Sequence, residues 1–337
     1  MQSVPDPVAT PAPRPSGKAA KPAKAAKPRT PPCPITGGRS KLVQRISTSL
    51  LIDLWRIMGK VDVSDHYQGL SHVHLYQSDC GLMFFHPPIP GNAAFYGTLY
   101  KRWNAHGLLQ RGAERRQEFL RAARHVRPGD RVLDVGGGEG DFGRHVPAAD
   151  FTAIDPYAPP EADARVLRVT AAQHADAAAG SYDVVTAFQV LEHVEDPRGL
   201  AADLVRLLKP GGLLILCAPT HPSILTEVPN NLVNAPPHHL TWWNETAFAA
   251  LAAEFGLEVL ENEVLPGSPH QTLFGWLDRF LIVRTRGAAG GPYYAHRWSW
   301  HAGLAIGYSL AWVADKVLGE RAVARPSDGF LVARKPL

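Results

Sequence analysis

The chain has 337 residues, 45% of them hydrophobic, which is enough for one large domain or two smaller ones with a real core. Its formal net charge of +4 is unevenly placed: residues 1–32 carry six lysines and arginines against one acid, so the rest is close to neutral and presents no broad basic face for nucleic acid. The three cysteines make no disulfide framework, no uncharged apolar run reaches the roughly 18 residues of a spanning helix, and the start lacks a signal-peptide core; a cytoplasmic location is expected.

In chain order, residues 1–32 are Pro, Ala and Lys with almost nothing to bury, and a disordered tail is expected. Residues 33–110 read as a small module. "LLIDLWRIMG" has helical spacing, and "VHLYQSDCGLMFFHPP" reads as two short strands around a turn at Asp79–Gly81. From Glu114 a helix runs to Pro128–Gly129, after which strands alternate with helices. Strands are expected at 131–135, 151–155, 165–169, 183–188 and 212–217, and helices at 141–146, 197–208 and 245–255, which means a doubly wound parallel α/β sheet. Residues 256–265 and 328–336 supply two more strands. Between them, 266–327 is a long Trp-rich insertion whose helix carries His301, Ser309 and Lys316 at about helical spacing. That helix either packs on the domain or lies on a membrane surface through 298–318, with Trp298, Trp300 and Trp312 at the interface.

Residues 130–143, "DRVLDVGGGEGDFG", hold two overlapping patterns. Gly138, Gly140 and Gly143 make G-x-G-x-x-G, as in dinucleotide sites. Asp134, Gly136, Gly138 and Gly140 make D-x-G-x-G-x-G, a turn suited to S-adenosylmethionine (SAM). Both ligands need glycines where backbone approaches them, and Asp155 at the end of the second strand suits either ribose. Asp134 separates the two: a carboxylate inside the first strand repels a diphosphate and attracts a sulfonium and an ammonium. A Cβ at Gly138 is expected not to fit.

"VLDVGGGEG", "AIDPY", "YDVV", "LEHVEDP" and "LLKPGG", in this order, resemble the class I SAM-dependent methyltransferases, with the quinone-biosynthesis and related small-molecule enzymes as the most similar subgroup. The resemblance covers about 111–265 and the final strand. It implies a seven-stranded Rossmann-like sheet whose last strand is antiparallel and inserted between the fifth and sixth. It implies SAM as cofactor, with Asp134, Gly136, Gly137, Gly138 and Gly140 along the methionine part, Asp155 on the ribose, and Pro156 and Gln189 nearby. The usual acidic adenine contact after the third strand has no match, and backbone groups at Thr170–Ala172 are expected to serve. "CPITGG" and "QSDCGL" resemble the zinc-ribbon leader of related enzymes. Thr36 and Gln77 stand where two of its cysteines would be, so this resemblance implies a metal-free relic unless His72 or His74 substitutes.

Methyl transfer to a hydroxyl needs a base to take the proton. His239 and His238, in "NAPPHHLTWWNETAF" after the fifth strand, and His193, in "LEHVEDP" after the fourth, are the candidates for base or acceptor contact. Trp242 and Trp243 read as core, Cys217 as an inert buried thiol, and Glu192 and Glu195 as solvated charges at a helix start. The expected function is O-methylation of a small-molecule or glycan-linked acceptor, with no nucleic-acid partner. A non-catalytic SAM-binding module and an NAD-dependent oxidoreductase are the alternatives.

Overall fold

The computed structural model describes residues 30–105, 115–267, 272–285, 291–321 and 325–337; the tail expected over 1–32 lies outside them except for its last three residues. The larger of two sheets is built from β4 (Arg131–Val135), β5 (Asp150–Ile154), β6 (Val166–Leu167), β7 (Tyr182–Phe188), β8 (Leu208–Pro219), β10 (Glu258–Val264) and β11 (Asp328–Arg334). Its spatial order is β10-β11-β8-β7-β4-β5-β6. The five strands β4 to β8 pair in parallel, and β11 pairs antiparallel with both β8 and β10. The last strand is therefore inserted between the fifth and sixth of the sheet, as the family resemblance implies. The central strands are buried on both faces, which explains their continuous apolar runs: Val184, Val185 and Ala187 in β7 and Leu214, Ile215, Leu216 and Cys217 in β8 are all sealed from solvent.

Three local expectations are corrected. The third strand is only two residues long rather than 165–169. The helix expected at 141–146 is a single tight turn, Asp141–Arg144, flanked by Gly140 and Pro147; its Phe142 is locked between Phe119 and Phe188 at ring distances of 5.4 and 5.1 Å. The fifth strand, expected at 212–217, begins earlier: β8 takes in the Lys-Pro-Gly-Gly segment from Leu208. Gly211 N–H donates to Lys335 O and Lys335 N–H to Gly212 O, each at 2.9 Å, so the chain's end extends the ladder.

The smaller sheet has the order β1 (Ser40–Ser47), β2 (His72–Ser78), β3 (Met83–His86), β9 (Thr241–Trp242). The two-strand turn at Asp79–Gly81 is present, with Gly81 at φ +88°. β9 comes from the segment after the large sheet's fifth strand, and pairs Thr241 with Phe84 and Trp242 with Met83. The small module's core is likewise shared: Trp55, Phe85 and Phe95 pack with Trp242, Tyr293 and Tyr294. α1 (Thr48–Leu54) and α2 (Ala93–Ala105) complete it. Cys33 and Cys80 approach to 3.7 Å between their sulfurs. His72, one of the histidines considered as a substitute ligand, lies against Arg45 and Ser71 instead.

In the insertion, α8 (Thr272–Phe280) packs on α9 (Trp298–Leu318). Four small residues, Gly303, Gly307, Ala311 and Ala314, lie in the buried stripe of α9 beside Trp300 and Leu304, and they allow close contact. A Cβ on Gly303 would lie 2.6 Å from Val283 Cγ2. Trp300 is buried, with the Arg297 guanidinium over its ring, while Trp298 and Trp312 are 83% and 57% exposed. Ser309 and Lys316 do lie on the outer face, but among Ile306, Leu310, Trp312, Val313 and Val317, so that face is largely apolar. Among the described residues no helix is long and apolar enough to cross a membrane.

Candidate active site

The glycine loop begins where β4 ends. Gly136, Gly138 and Gly140 all have positive φ (+73°, +56° and +86°), the left-handed region where a side chain is penalised. Gly136 and Gly137 N–H both donate to Ile154 O, at 2.8 and 3.3 Å, which folds the loop over the end of β5. A Cβ on Gly136 would meet Val190 Cγ2 at 2.5 Å, and one on Gly137 would meet Asp134 Oδ2 at 2.9 Å. Gly138 differs from expectation. No protein atom lies within 4 Å of its would-be Cβ, so its constraint is the backbone angle rather than lack of room.

Asp134 is buried beneath this loop and accepts a hydrogen bond from Thr186 Oγ1 at 2.7 Å. Burial pushes its pKa up to about 7, opposed by the Thr186 hydrogen bond and the Arg116 guanidinium and reinforced by Asp155. Such a carboxylate gains from a cation laid against the loop. Asp155 Oδ2 accepts from Gly138 N–H at 3.1 Å and Oδ1 from Tyr157 N–H at 2.8 Å, tying the loop to the end of β5 on either side of Pro156. Gln189 ends β7 in a left-handed conformation, φ +60°, and its side-chain amide is spent on Asp328 Oδ1 at 3.0 Å. Its backbone N–H is committed as well, to Cys217 O at 2.8 Å. At the proposed adenine end, Thr170 N–H is already committed to Gln173 Oε1 in a capping box.

The three histidines singled out in the sequence converge. Ring centroids are 4.6 Å apart for His193 and His238, 4.9 Å for His193 and His239, and 4.5 Å for His238 and His239. His193 Nδ1 donates to His238 O at 2.7 Å, and His239 Nδ1 to Asn234 Oδ1 at 2.9 Å. In a neutral ring each bond leaves Nε2 as an unprotonated acceptor. Burial holds all three rings neutral, with His193 pushed down to about 4. His193 keeps 18% of its side chain exposed, whereas His238 and His239 are nearly sealed, so His193 is the most solvent-accessible ring of the three.

The segment carrying the histidine pair is pinned from several sides. Trp55 Nε1 and Tyr67 Oη, both from the small module, donate to Pro236 O at 2.8 and 2.7 Å. Trp242 Nε1 and Tyr294 Oη donate to Asn234 O at 2.9 and 2.8 Å. Leu240 N–H donates to Glu192 O at 2.6 Å, which joins the segment to the turn that holds His193. From α2, the Tyr96 hydroxyl lies 3.3 Å from His193 Nδ1. The small module thus forms one wall of the histidine cluster.

Glu192 corrects an expectation. It is not a solvated charge: its residue is 1% exposed, neither carboxyl oxygen finds a hydrogen-bond partner among the described residues, and Oε1 lies 3.7 Å from His193 Nε2. Burial pushes its pKa up to about 8. The sequence showed Glu192 only as one acid in a polar run. The tight turn Leu191–His193 rotates it inward, and no periodicity signals such a turn. Arg116, Glu118 and Asp328 were also missed. Arg116 Nε donates to Glu118 Oε1 at 2.7 Å, and burial raises Asp328 to about 6 with Glu118 as the next contributor. Cys217 and Trp243 are fully buried and Trp242 nearly so, in keeping with core roles.

A family profile described as a methyltransferase domain matches residues 107–262. The ubiquinone biosynthesis O-methyltransferase of Erwinia tasmaniensis is 39% identical over 97 residues, 25% of this chain and 40% of that protein. The enzyme of the same name from Pseudomonas aeruginosa is 37% identical over 101 residues, 26% of this chain and 44% of that one. The chain thus spans about two fifths of the length of the curated relatives it matches. Among solved structures, a SAM-dependent methyltransferase from Archaeoglobus fulgidus aligns over 70% of this chain and 99% of its own, with 16% identity and a TM-score of 0.43.

Proposed function

From the premise that residues 107–262 make this chain a member of the class I SAM-dependent methyltransferases, we propose that it methylates a hydroxyl of a small-molecule or glycan-linked acceptor. The observation that carries the reading is the cluster of three neutral histidines beside buried Glu192, two of these residues in a turn that follows Val190, the side chain a Cβ on Gly136 would meet. The names of the relatives, which specify O-methylation, agree with it.

The residues present fit the cofactor. Asp134 supplies a buried carboxylate for a cationic ligand; Gly136 and Gly137 let the loop pack tightly over it, where a Cβ would collide with Val190 or Asp134, and Gly138 leaves open space beside the backbone. Asp155 retains lone pairs for ribose hydroxyls beyond the two N–H groups it already accepts. SAM, when bound, supplies a methyl group on a positive sulfur, already activated toward displacement. The chain's own task is then to orient the acceptor in line, exclude water and draw off its proton. An amine sheds its proton to solvent before attack, whereas a hydroxyl benefits from a fixed acceptor; His193 Nε2 and His239 Nε2 offer two. The oxidoreductase alternative would put a diphosphate against buried Asp134, an unfavourable pairing of like charges.

The outer face of α9 supports peripheral contact with an anionic lipid surface. Two exposed tryptophans stand on it, and Arg297, Lys316 and Arg321 lie exposed along or beside the helix. Such contact would suit a lipophilic acceptor.

The test is transfer of isotopically labelled methyl from SAM to a panel of phenols, catechols and sugar hydroxyls, run beside matched amines. Label recovered as methyl ether supports the reading. Label recovered only on nitrogen, or none from folded protein that binds SAM, overturns it.

A further inference from the structure

We propose that His193, His238 and His239 form a binding site for one divalent first-row transition-metal ion, with zinc as the probe. One ring nitrogen from each residue lies within 4.8 Å of the others. Ligand bonds of about 2 Å to imidazole would draw them closer, a change that ring rotation supplies. Imidazole nitrogens suit zinc, iron, cobalt and nickel rather than magnesium or calcium, which select oxygen.

Two further features set the cluster apart from ordinary buried histidines. The first is orientation. His193 and His239 each give Nδ1–H to a carbonyl oxygen, one from His238 backbone and one from the Asn234 side chain. This fixes both Nε2 atoms as lone-pair donors, the arrangement that outer partners impose on metal-bound histidine. The second is Glu192. A carboxyl group sealed from water, with no hydrogen-bond partner on either oxygen among the described residues, stands 3.7 Å from His193 Nε2. Burying such a group costs free energy unless something compensates, and a cation among the imidazoles would do so. Three nitrogens with a carboxylate alongside leave room for an acceptor oxygen, as open zinc sites do.

The ion's use rests on the methyltransferase reading; its binding does not. A hydroxyl bound to the ion would be acidified as metal-bound water is and would lose its proton to solvent; its oxygen then forms the C–O bond as the methyl–sulfur bond of SAM breaks, and S-adenosylhomocysteine leaves. The histidines then act by holding the ion rather than as bases.

The test is equilibrium dialysis of chelator-treated full-length chain against Zn2+ with elemental analysis, repeated with Co2+ for its visible spectrum. SAM binding is measured by calorimetry on the same samples. We expect one ion per chain and a four- or five-coordinate cobalt spectrum. His193→Ala and His239→Ala should each lose the ion. Asn234→Ala, which keeps every ligand but removes the acceptor for His239, should weaken it by about 10- to 100-fold. Cys33→Ser with Cys80→Ser should leave it in place. Absence of stoichiometric metal from chain that binds SAM overturns the proposal while leaving the enzyme reading intact, and so does metal lost on the cysteine substitutions but kept on the histidine ones. Metal bound by chain that ignores SAM would sink the enzyme reading instead.

Discussion

Thr186 Oγ1 donates to Asp134 Oδ1 at 2.7 Å, across the register pair that joins the first and fourth strands of the large sheet. This is the only hydrogen bond found for the Asp134 carboxyl among the described residues, and burial raises its pKa to about 7. A cationic ligand prefers the ionised form, so SAM binding should release a proton. Affinity should fall as pH drops below about 7, by up to tenfold per unit, and level off above it. Asp134→Asn should weaken binding and flatten the profile. Calorimetry from pH 5.5 to 8.5 in buffers of different ionisation heat checks both. For folding the sign is opposite: a raised acid pKa makes this group's stabilisation greatest below the ordinary carboxylate range, and it is lost as pH rises through about 7.

Gly136 and Gly138 share a positive φ but differ in space. Gly138→Ala should cost about 1–2 kcal/mol for the left-handed backbone alone. Gly136→Ala must also displace Val190, and should cost more, with a larger loss of SAM affinity. Urea unfolding of the two variants, compared at equal slope, tests the ranking; equal losses would refute it.

Pro236 O receives two donors from the small module, Trp55 Nε1 and Tyr67 Oη. Tyr67→Phe should cost about 1 kcal/mol, because Trp55 still satisfies the carbonyl. Tyr67→Phe combined with Trp55→Phe leaves a buried acceptor bare and should cost more than the two single changes together. A double-mutant cycle measures the excess. Because this carbonyl lies two residues before His238, the pair should also raise the acceptor KM.

The two faces of α9 should respond differently. Gly303→Leu forces a side chain into Val283 and should destabilise the chain by about 1–3 kcal/mol or more. Trp298→Ser and Trp312→Ser, on the outer face, should leave stability within about 0.5 kcal/mol. Those two changes together should abolish sedimentation with phosphatidylglycerol vesicles. Vesicle binding unchanged by the pair would remove the lipid-facing role.

The large sheet was legible because its signals are local. Apolar runs of strand length and glycines at fixed offsets from Asp134 are short-range features, and two of the helices carry local caps of the same kind, Asn244 before Glu245 and Asp196 before Pro197. The histidines were legible as residues but not as a cluster, since His193 and His239 meet only through the fold. Glu192 was misread because the tight turn that rotates it inward leaves no periodic mark, and the groups it then faces, Arg116 and Asp328 among them, are far from it in sequence. The short strand β9 was invisible for the same reason: Thr241–Trp242 is too brief for any period, and only its pairing with Phe84 and Met83 makes it a strand.

That brief strand has a consequence for anyone rearranging the gene. The leader and the nucleoside-binding half are interleaved, since the leader's sheet borrows its fourth member from a peptide immediately after the two histidines. A chimaera that transplants residues 33–105 alone would strip the borrowed peptide of its mate and leave the imidazoles without a wall. Exchange of acceptor preference between relatives should therefore succeed only when the leader and the 234–243 peptide travel together.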